Sequence, residues 1–494
     1  MPATGPYYVR VLALDPSGAP GAPSAALMIT TVTTVTVTPA TASIAAGATQ
    51  PFTPTAKDAQ NNTVTGLTFY WASSDPTVAT VDPASGVATG KAGGSAKITA
   101  LGLGIPGNAT LTVTAVALTF TVVDAGGGRD TPFASEGDFT CGVTSAGAVY
   151  CWGGNGKGQL GDGSTTRRLI PVLALAPAGV TFSSVSTGWR HTCAVTVTPV
   201  VGDVYCWGRN ENGRLGDGTQ GDRSVPGRVA APSGITFLSV SAGGQHTCGV
   251  AAGTRDIYCW GRNSSGQVGD ATTTDRFTPV RVSAPAGVIF NSVTAGGEHS
   301  CAVATTGAVA YCWGANSSGQ LGDSTNTLKN APVRVKPPTA TSVLFAAVTA
   351  GEQHTCGRTT SSIAWCWGQN ANGQLGDNTV VSKNGPAAVQ QGALVFAEVS
   401  AGNQHTCART SAGAGYCWGK NAYGQLGDGS LSDNSVPTLT QGGLTLSRSA
   451  GGAQHTCGLA TGTSAGVWCW GLNEDGQLGD GTTISRVQPV RTVQ

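Results

Sequence analysis

Fourteen cysteines supply the most regular reactive chemistry of the 494-residue sequence. They form seven close pairs: Cys141 with Cys151, Cys193 with Cys206, Cys248 with Cys259, Cys301 with Cys312, Cys356 with Cys366, Cys407 with Cys417, and Cys457 with Cys469. Alternating apolar and polar residues lie within each pair, with a glycine-containing turn in most of them. This pattern predicts a hairpin whose two cysteines face each other within disulfide range. Metal binding is a weaker alternative, because there is no C-x-x-C and each unit has only two thiolates. Free thiols are the other alternative.

Six histidines precede the first cysteine of a pair by two residues, at His191, His246, His299, His354, His405 and His455. Imidazole nitrogens are common zinc ligands, but a ligand must approach the metal to about 2.0–2.1 Å. Equivalent positions on a ring of repeats do not converge on one ion. The first copy has Phe139 at this position, so we predict structural histidines, each hydrogen-bonded to a neighbouring loop.

An aspartate follows glycine in every copy, at Asp162, Asp217, Asp270, Asp323, Asp377, Asp428 and Asp480. Calcium needs 6–8 oxygen ligands, usually from several carboxylates, whereas each loop here offers one. Turn capping is therefore the predicted role. The sequence contains no nucleophile elbow, H-E-x-x-H, Walker loop or dinucleotide fingerprint. We therefore expect no enzymatic activity, no metal and no cofactor.

A repeat positions these residues, because the tryptophan of a Cys-Trp-Gly triplet recurs seven times at spacings of 51 to 55 residues, from Trp152 to Trp470. Each copy has several short alternating segments separated by glycine turns, which fits a propeller blade better than a two-helix repeat. The first copy carries a ten-residue insertion around 127–137, because Phe120 lies 21 residues before Cys141.

The recurring pattern H-T-x-A-V…V-Y-x-W-G-x-N-x-x-G-Q-L-G resembles the regulator of chromosome condensation repeat. That resemblance implies an all-β, seven-bladed β-propeller over residues 118–494. It says less about function, because such propellers serve as nucleotide-exchange factors, ubiquitin-ligase modules and a secreted bacterial β-lactamase inhibitor. The paired cysteines depart from the eukaryotic pattern and favour a bacterial secreted type.

The front of the chain resembles two other modules. Residues 32–117 contain Trp71-Ala72-Ser73-Ser74-Asp75 and Gly86-Val87-Ala88-Thr89-Gly90, and resemble a bacterial immunoglobulin-like domain of group 2, a β-sandwich. Trp71 is its predicted core tryptophan. Residues 1–31 resemble the last two strands of a fibronectin type III domain, which cannot form a stable core alone.

The composition limits the possible binding partners and the possible cellular location of the protein. Charged residues make up 11% of the chain and the net charge is +1, which excludes a field that attracts nucleic acid. No apolar run is long enough for a membrane helix, so no membrane insertion is expected. The N-terminal residues do not read as a signal peptide. Combined with the cysteines, this predicts a piece of a longer exported protein that is extracellular or at the cell surface.

Residues that differ between copies are the candidate contacts for a partner, because variable loops on a rigid scaffold carry recognition. They are Trp189, Arg190, Tyr423, Arg167 and Arg168, of the residue types enriched in binding hot spots. The leading hypothesis is a non-enzymatic bacterial surface protein, whose propeller is a binding or adhesion head for a protein or a cell-surface glycan and whose immunoglobulin-like domain is a stalk. One alternative is a self-assembling filament or surface-layer subunit that uses residues 1–31 for strand addition. The other is an inhibitor of an extracellular enzyme.

Ring closure gives one further expectation. The last copy ends in a segment, 488–493, that leads into the next copy elsewhere in the chain. We expect it to dock beside strands of the first copy, near 118–123 or 141–151, because an unpaired edge invites aggregation.

Overall fold

A computed structural model describes residues 7–9, 27–29, 31–45, 48–91, 93–114, 118–128, 137–338 and 343–493. The chain divides into two compact units at Leu118. The predicted strand-addition segment 1–31 lies mostly outside the described residues, as does most of the predicted insertion around 127–137.

The first unit contains β1 (Tyr7–Val9), β2 (Leu27–Ile29), β3 (Thr34–Thr38), β4 (Thr41–Ala45), β5 (Thr49–Pro51), β6 (Thr53–Lys57), β7 (Thr63–Val64), β8 (Tyr70–Ser73), β9 (Ala79–Val81), β10 (Val87–Gly90), β11 (Gly94–Gly102) and β12 (Ile105–Thr114). Its sheets have the orders β4-β12-β11-β8, β3-β6-β7, β5-β10-β9 and β1-β2. Alternate residues of β12 are buried, and Trp71 packs in the same core as Leu111. The predicted immunoglobulin-like fold is confirmed.

The second unit consists of seven four-stranded antiparallel sheets, each built from four consecutive strands. Blade 1 contains β13 (Phe120–Gly126), β14 (Phe139–Thr144), β15 (Val149–Gly153) and β16 (Arg168–Leu173). Blade 2 contains β17 (Thr181–Thr187), β18 (His191–Thr198), β19 (Val204–Gly208) and β20 (Arg223–Arg228). Blade 3 contains β21 (Phe237–Ala242), β22 (His246–Ala251), β23 (Ile257–Gly261) and β24 (Arg276–Arg281).

The remaining blades repeat this arrangement. Blade 4 contains β25 (Phe290–Ala295), β26 (His299–Ala304), β27 (Ala310–Gly314) and β28 (Lys329–Arg334). Blade 5 contains β29 (Phe345–Ala350), β30 (His354–Thr359), β31 (Ala364–Gly368) and β32 (Lys383–Ala388). Blade 6 contains β33 (Phe396–Ala401), β34 (His405–Thr410), β35 (Gly415–Gly419) and β36 (Asn434–Leu439). Blade 7 contains β37 (Leu446–Gly451), β38 (His455–Ala460), β39 (Gly466–Gly471) and β40 (Arg486–Arg491).

The first strands of the blades form a closed ring, because β13 contacts both β17 of the next blade and β37 of the last one. The predicted seven-bladed propeller is therefore confirmed.

A disulfide joins the second strand of every blade to the third, with Cα atoms 4.1 Å apart in each case. The bridges connect Cys141 to Cys151, Cys193 to Cys206, Cys248 to Cys259, Cys301 to Cys312, Cys356 to Cys366, Cys407 to Cys417, and Cys457 to Cys469. The two cysteines of a pair lie directly opposite each other in the strand register, as Cys248 and Cys259 do in blade 3. The predicted pairing within each hairpin is the pairing in the structure.

The predicted docking of the C-terminal strand beside the first copy is wrong. Strand β40 pairs with β39, with Val490 opposite Cys469, and completes the sheet of blade 7. Every copy supplies its own four strands, so no strand is left over for a neighbour. Complete blades close the ring instead, where Thr140 Oγ1 donates to the Gln477 carbonyl at 2.9 Å and the Gly481 N–H donates to the Leu169 carbonyl at 3.0 Å.

The apolar cores lie between adjacent blades. Trp313 of blade 4 has no exposed surface and packs with Val268 of blade 3, and its Nε1 donates to the Gln267 carbonyl at 2.9 Å. Gly269 has a positive φ of 78°, and a Cβ there would lie 2.5 Å from the same Nε1. The glycine is therefore required both by its backbone conformation and by the close approach of the indole.

Gly269→Ala should lower the free energy of unfolding by about 3 kcal/mol, because it adds a steric clash in a packed core to the cost of a positive φ. Gly287→Ala is the matched control, since Gly287 has a φ of 74° and open space around it, and should cost about 1 kcal/mol. Thermal unfolding of both variants measures the difference. Equal losses would show that the contact with Trp313 does not require glycine.

Candidate functional site

Glycine and alanine residues surround the centre of the propeller at the ends of the first strands. Backbone hydrogen bonds join neighbouring blades here: the Gly244 N–H donates to the Gly296 carbonyl at 2.9 Å, and the Gly297 N–H to the Gly351 carbonyl at 3.0 Å. A Cβ on Gly243 would lie 2.6 Å from the Gly296 carbonyl oxygen. Small residues are therefore required where the blades meet most closely.

Six buried histidines, just outside this centre, link six of the seven blades to the blade that follows. Each Nε2 lies 2.8–2.9 Å from a hydroxyl of the following blade, in the pairs His191–Thr247, His246–Ser300, His299–Thr355, His354–Thr406, His405–Thr456 and His455–Thr140. Each hydroxyl donates its own hydrogen to a loop carbonyl, as Thr355 does to Gln320 at 2.8 Å. The hydroxyl therefore accepts from Nε2–H, which assigns the tautomer.

These histidines are neutral near pH 7. Burial lowers the pKa of His246, His299, His354 and His455 to about 3 and that of His405 to about 4. Burial also lowers the pKa of His191 well below its usual value. The predicted hydrogen-bonded structural role is confirmed, although the partner is a strand hydroxyl rather than a loop. Phe139, fully buried, occupies the seventh position.

The repeated aspartates cap turns, as predicted. Asp270 Oδ1 accepts from the Thr272 N–H at 3.1 Å and from the Thr272 hydroxyl at 2.7 Å, and Oδ2 accepts from Arg276 Nε at 2.6 Å. Burial alone would raise the pKa of this carboxyl, but the bonds from Thr272 and Arg276 outweigh burial and lower it. Among the described residues, no three His, Cys, Asp or Glu side chains form a group that could hold a metal ion.

Charged groups on the first strands of blades 1, 6 and 7 break the symmetry of the ring. Asp124 stands where most copies have serine or threonine, and burial raises its pKa to about 6 although Thr187 donates to it and Arg448 is nearby. Glu398 Oε2 accepts from Arg409 Nε and from the Ser449 N–H, both at 3.2 Å. Sequence reasoning missed these residues, and the departure of Asp124 from the repeat pattern was the available signal.

The predicted contact residues near the centre have different environments. Trp189 is half-buried, and its indole fills the space beside Gly128 and Gly244, where a Cβ on either glycine would lie 2.2 or 2.8 Å from the ring. Arg190 is only 4% exposed. Its burial contradicts the expectation of a surface contact, because the guanidinium lies in the protein interior beside Gly137.

The other predicted contact residues lie in blades 1 and 6. Arg167 is exposed, and its Nη1 donates to the Glu474 carbonyl of blade 7 at 3.1 Å. Arg168 is half-buried and pairs with Asp162 at 2.7 Å, so it belongs to the turn-capping set. Tyr423 is half-buried, and its N–H donates to Gln425 Oε1 at 2.9 Å. Arg167 and Arg168 belong to blade 1 and Tyr423 to blade 6, whereas Trp189 belongs to blade 2.

Across the described part of the chain, no helix is long and apolar enough to cross a membrane. Comparison with known families assigns both units. The RCC1-like domain profile matches residues 222–494, and two profiles of the regulator of chromosome condensation repeat match residues 146–195 and 182–214. The chain belongs to the RCC1-like domain family. The bacterial Ig-like domain (group 2) profile matches residues 31–115.

Relatives of this RCC1-like protein carry out different functions. The chain is 32% identical over 292 residues to the ultraviolet-B receptor UVR8 of Arabidopsis thaliana. The aligned region covers 59% of this chain and 65% of the relative. It is 30% identical to the E3 ubiquitin-protein ligase HERC2 of Mus musculus over 71% of this chain and 7% of the relative. The matches thus span less than two thirds of these relatives.

Solved structures give the same fold. Human WBSCR16 superposes with a TM-score of 0.63 at 22% identity, over 70% of this chain and 95% of that one. Yeast RCC1 (Prp20), solved bound to Kap60, superposes with a TM-score of 0.61 at 19% identity, over 76% of this chain and 86% of that one. RCC1-like propellers are generally non-catalytic.

Proposed function

We propose that this RCC1-like propeller is the non-enzymatic binding head of an exported bacterial surface protein, with the immunoglobulin-like domain as its stalk. The observation that carries the proposal is a disulfide in every blade. Disulfides form and persist in oxidising compartments and are rare in the cytosol. A cross-link in each of seven blades therefore favours an extracellular or cell-surface location.

A binding role is supported by how the blades are built. The repeated histidines, tryptophans and aspartates are all used for packing and turns, so they form a rigid scaffold. Among the residues that differ between copies, Arg167 is exposed on a loop, and Trp189 and Tyr423 are half-buried on loops. Loops on a rigid scaffold are the usual place for recognition. Prp20p of Saccharomyces cerevisiae, which shares the propeller fold, binds Gsp1p and histones. We infer that the present propeller binds a protein or glycan at a cell surface.

Saturable binding of the labelled, oxidised full chain to bacterial or host cell surfaces should be observed. The same protein after reduction and alkylation is the control for nonspecific adhesion. Measurement by flow cytometry over a concentration series gives the dissociation constant. Absence of saturable binding, together with tight inhibition of a secreted enzyme, would replace the proposed head with an inhibitor.

A structural subunit is the second candidate, favoured by the two-stranded sheet of β1 and β2. Tyr7 pairs with Ile29 and Val9 with Leu27, and two strands alone form at most a marginal fold in water. Added to a neighbour's sheet, they would link subunits. This candidate requires concentration-dependent polymers in light scattering that disappear when residues 1–31 are deleted.

A further inference from the structure

A polar pocket lies between blades 4 and 5 on the outer side of the propeller. Its volume is about 580 Å³, within the roughly 300–1,000 Å³ typical of small-ligand sites. Its wall includes Ser324 and Lys336 from blade 4, and Lys383, Asn384 and Gly385 from blade 5. None of the candidate contact residues named from the sequence lines this pocket.

The repeat supplies its own comparison for this pocket. At the equivalent groove between blades 1 and 2, a Cβ on Gly163 would lie 3.3 Å from Leu175 and 3.9 Å from Val225. Two partly exposed apolar side chains therefore line that groove. Lys336 occupies the position of Leu175 in the pocket, and Gly385 occupies the position of Val225.

Gly385 opens the pocket. It is the one glycine among the seven residues that precede the proline of the fourth strand, the others being Ile170, Val225, Thr278, Ala331, Val436 and Gln488. A Cβ at this position would point at Ser324 Oγ, 3.8 Å away, and at the Lys336 carbonyl, 3.5 Å away. Gly385 has no positive φ, so its backbone does not require glycine.

Two ammonium groups give the pocket its charge. Lys336 is exposed, and at its position the other copies have Leu, Ala, Ser, Gln or Val. Lys383 makes a long ion pair, because its Nζ lies 3.9 Å from Asp377 Oδ2. At the same position in blade 3, Arg276 Nη2 lies 2.5 Å from Asp270 Oδ2. Neither an acidic nor an aromatic side chain occurs in the lining described for this pocket.

Hydroxyl and amide groups surround the two lysines. Asn384 of blade 5 donates through Nδ2 to Asn326 Oδ1 of blade 4 at 3.2 Å. Ser324 and Ser382 add hydroxyls from the two blades, and Ser324 adopts a positive φ of 66° where four other copies have glycine. Hydroxyl and amide groups both donate and accept hydrogen bonds, so they match the hydroxyls of a sugar.

We propose that the pocket between blades 4 and 5 binds an acidic saccharide, with Lys336 and Lys383 on its anionic group and the serines and asparagines on its hydroxyls. This rests on the proposed function, because a surface-binding head meets polysaccharides of the cell envelope. The anionic group is a carboxylate or a sulfate, because both accept charge-assisted hydrogen bonds from a lysine ammonium.

Calorimetric titration of the oxidised full chain with three probes distinguishes a carboxylate ligand from a sulfate ligand. A tetrasaccharide of galacturonate carries carboxylates, a carrageenan tetrasaccharide carries sulfates, and maltotetraose is neutral. We expect one of the two acidic probes to bind and maltotetraose to bind at least about tenfold more weakly, since one charged hydrogen bond accounts for a factor of that size. No binding of either acidic probe, or equal binding of maltotetraose, would overturn the proposal.

Gly385→Val should weaken this binding at least about tenfold by narrowing the pocket, and the fold should tolerate it because Val225 and Val436 occupy the same position in blades 2 and 6. Ala331→Val, which places valine at the equivalent position one groove away, should bind normally. Lys336→Gln and Lys383→Gln should each weaken binding about tenfold. Lys329→Gln, at the position of Lys383 in blade 4, should have no effect. Unchanged thermal midpoints show that the variants are folded.

Cell binding separates the two proposals. If Gly385→Val binds cells as the natural chain does and also retains the acidic probe, the pocket assignment is wrong while the binding head stands. If the natural chain binds no cells but binds the acidic probe in a Gly385-dependent manner, the surface role is wrong while the pocket stands.

Discussion

Reduction of the seven disulfides should unfold the propeller at temperatures where the oxidised protein is stable. Each bridge spans 10 to 13 residues, and closing such a loop stabilises a fold by about 3 kcal/mol in the chain-entropy description. Seven such contributions, about 20 kcal/mol, exceed the roughly 5–15 kcal/mol net stability of most domains. Calorimetry with and without reductant measures the loss.

The immunoglobulin-like domain is an internal control for this experiment. All fourteen cysteines lie between Cys141 and Cys469, so the transition of residues 32–117 should not respond to the reductant. The intact mass without reductant should be about 14 Da below the all-thiol mass, two hydrogens for each bridge. A propeller transition that stays in place after complete alkylation would contradict a stabilising role of the bridges.

Acid should unfold the propeller between about pH 6 and pH 4. The folded state holds six histidines neutral, because burial lowers their pKa values, in five of them to about 3 or 4. The unfolded chain protonates them near pH 6.5. Their contribution is fully present above the unfolded pKa and is lost as the pH falls toward the folded values.

Two carboxyls act in the opposite direction. Burial raises the pKa of Asp124 and of Asp475 to about 6, so the folded state takes up these two protons before the unfolded chain does. Near pH 5, the unfolded chain therefore binds about four more protons than the folded one. One net proton changes stability by about 1.4 kcal/mol per pH unit, so the expected loss is about 5 kcal/mol per unit.

His299→Phe tests the origin of this acid sensitivity, because Phe139 already fills the equivalent position in blade 1. The variant should lose the hydrogen bond to Thr355 and unfold at a lower temperature at pH 8. Its free energy of unfolding should then fall less steeply as the pH is lowered, because unfolding takes up one proton fewer. Denaturant unfolding from pH 8 to pH 4.5 measures both effects. An unchanged slope would show that His299 is not kept neutral by the fold.

Local spacing predicted much of this architecture. Residues two apart point to the same face of a strand, so the paired cysteines and the repeated Cys-Trp-Gly triplets predicted hairpins and their disulfides directly. The aspartate after glycine likewise predicted a turn, because an Asx cap needs only neighbours such as Thr272 beside Asp270. Contacts within one copy can be read from one copy.

Contacts between copies required the tertiary structure. His299 reaches Thr355 in the next blade, a partner that no local pattern specifies. The C-terminal strand was misassigned for the same reason, because its sequence fits an outer strand of its own blade as well as a strand shared with the first.

The sequence alone determined the repeat, the seven blades and the position of each cross-link, because these depend on spacing within about fifty residues. Only the tertiary structure decided which side chains are accessible and which grooves are open. Arg190 is buried although its type suggested a contact, and Gly385 lines an open pocket at a position that is valine in blades 2 and 6. Burial and cavity shape arise where two blades meet, so they depend on side chains that lie far apart along the chain.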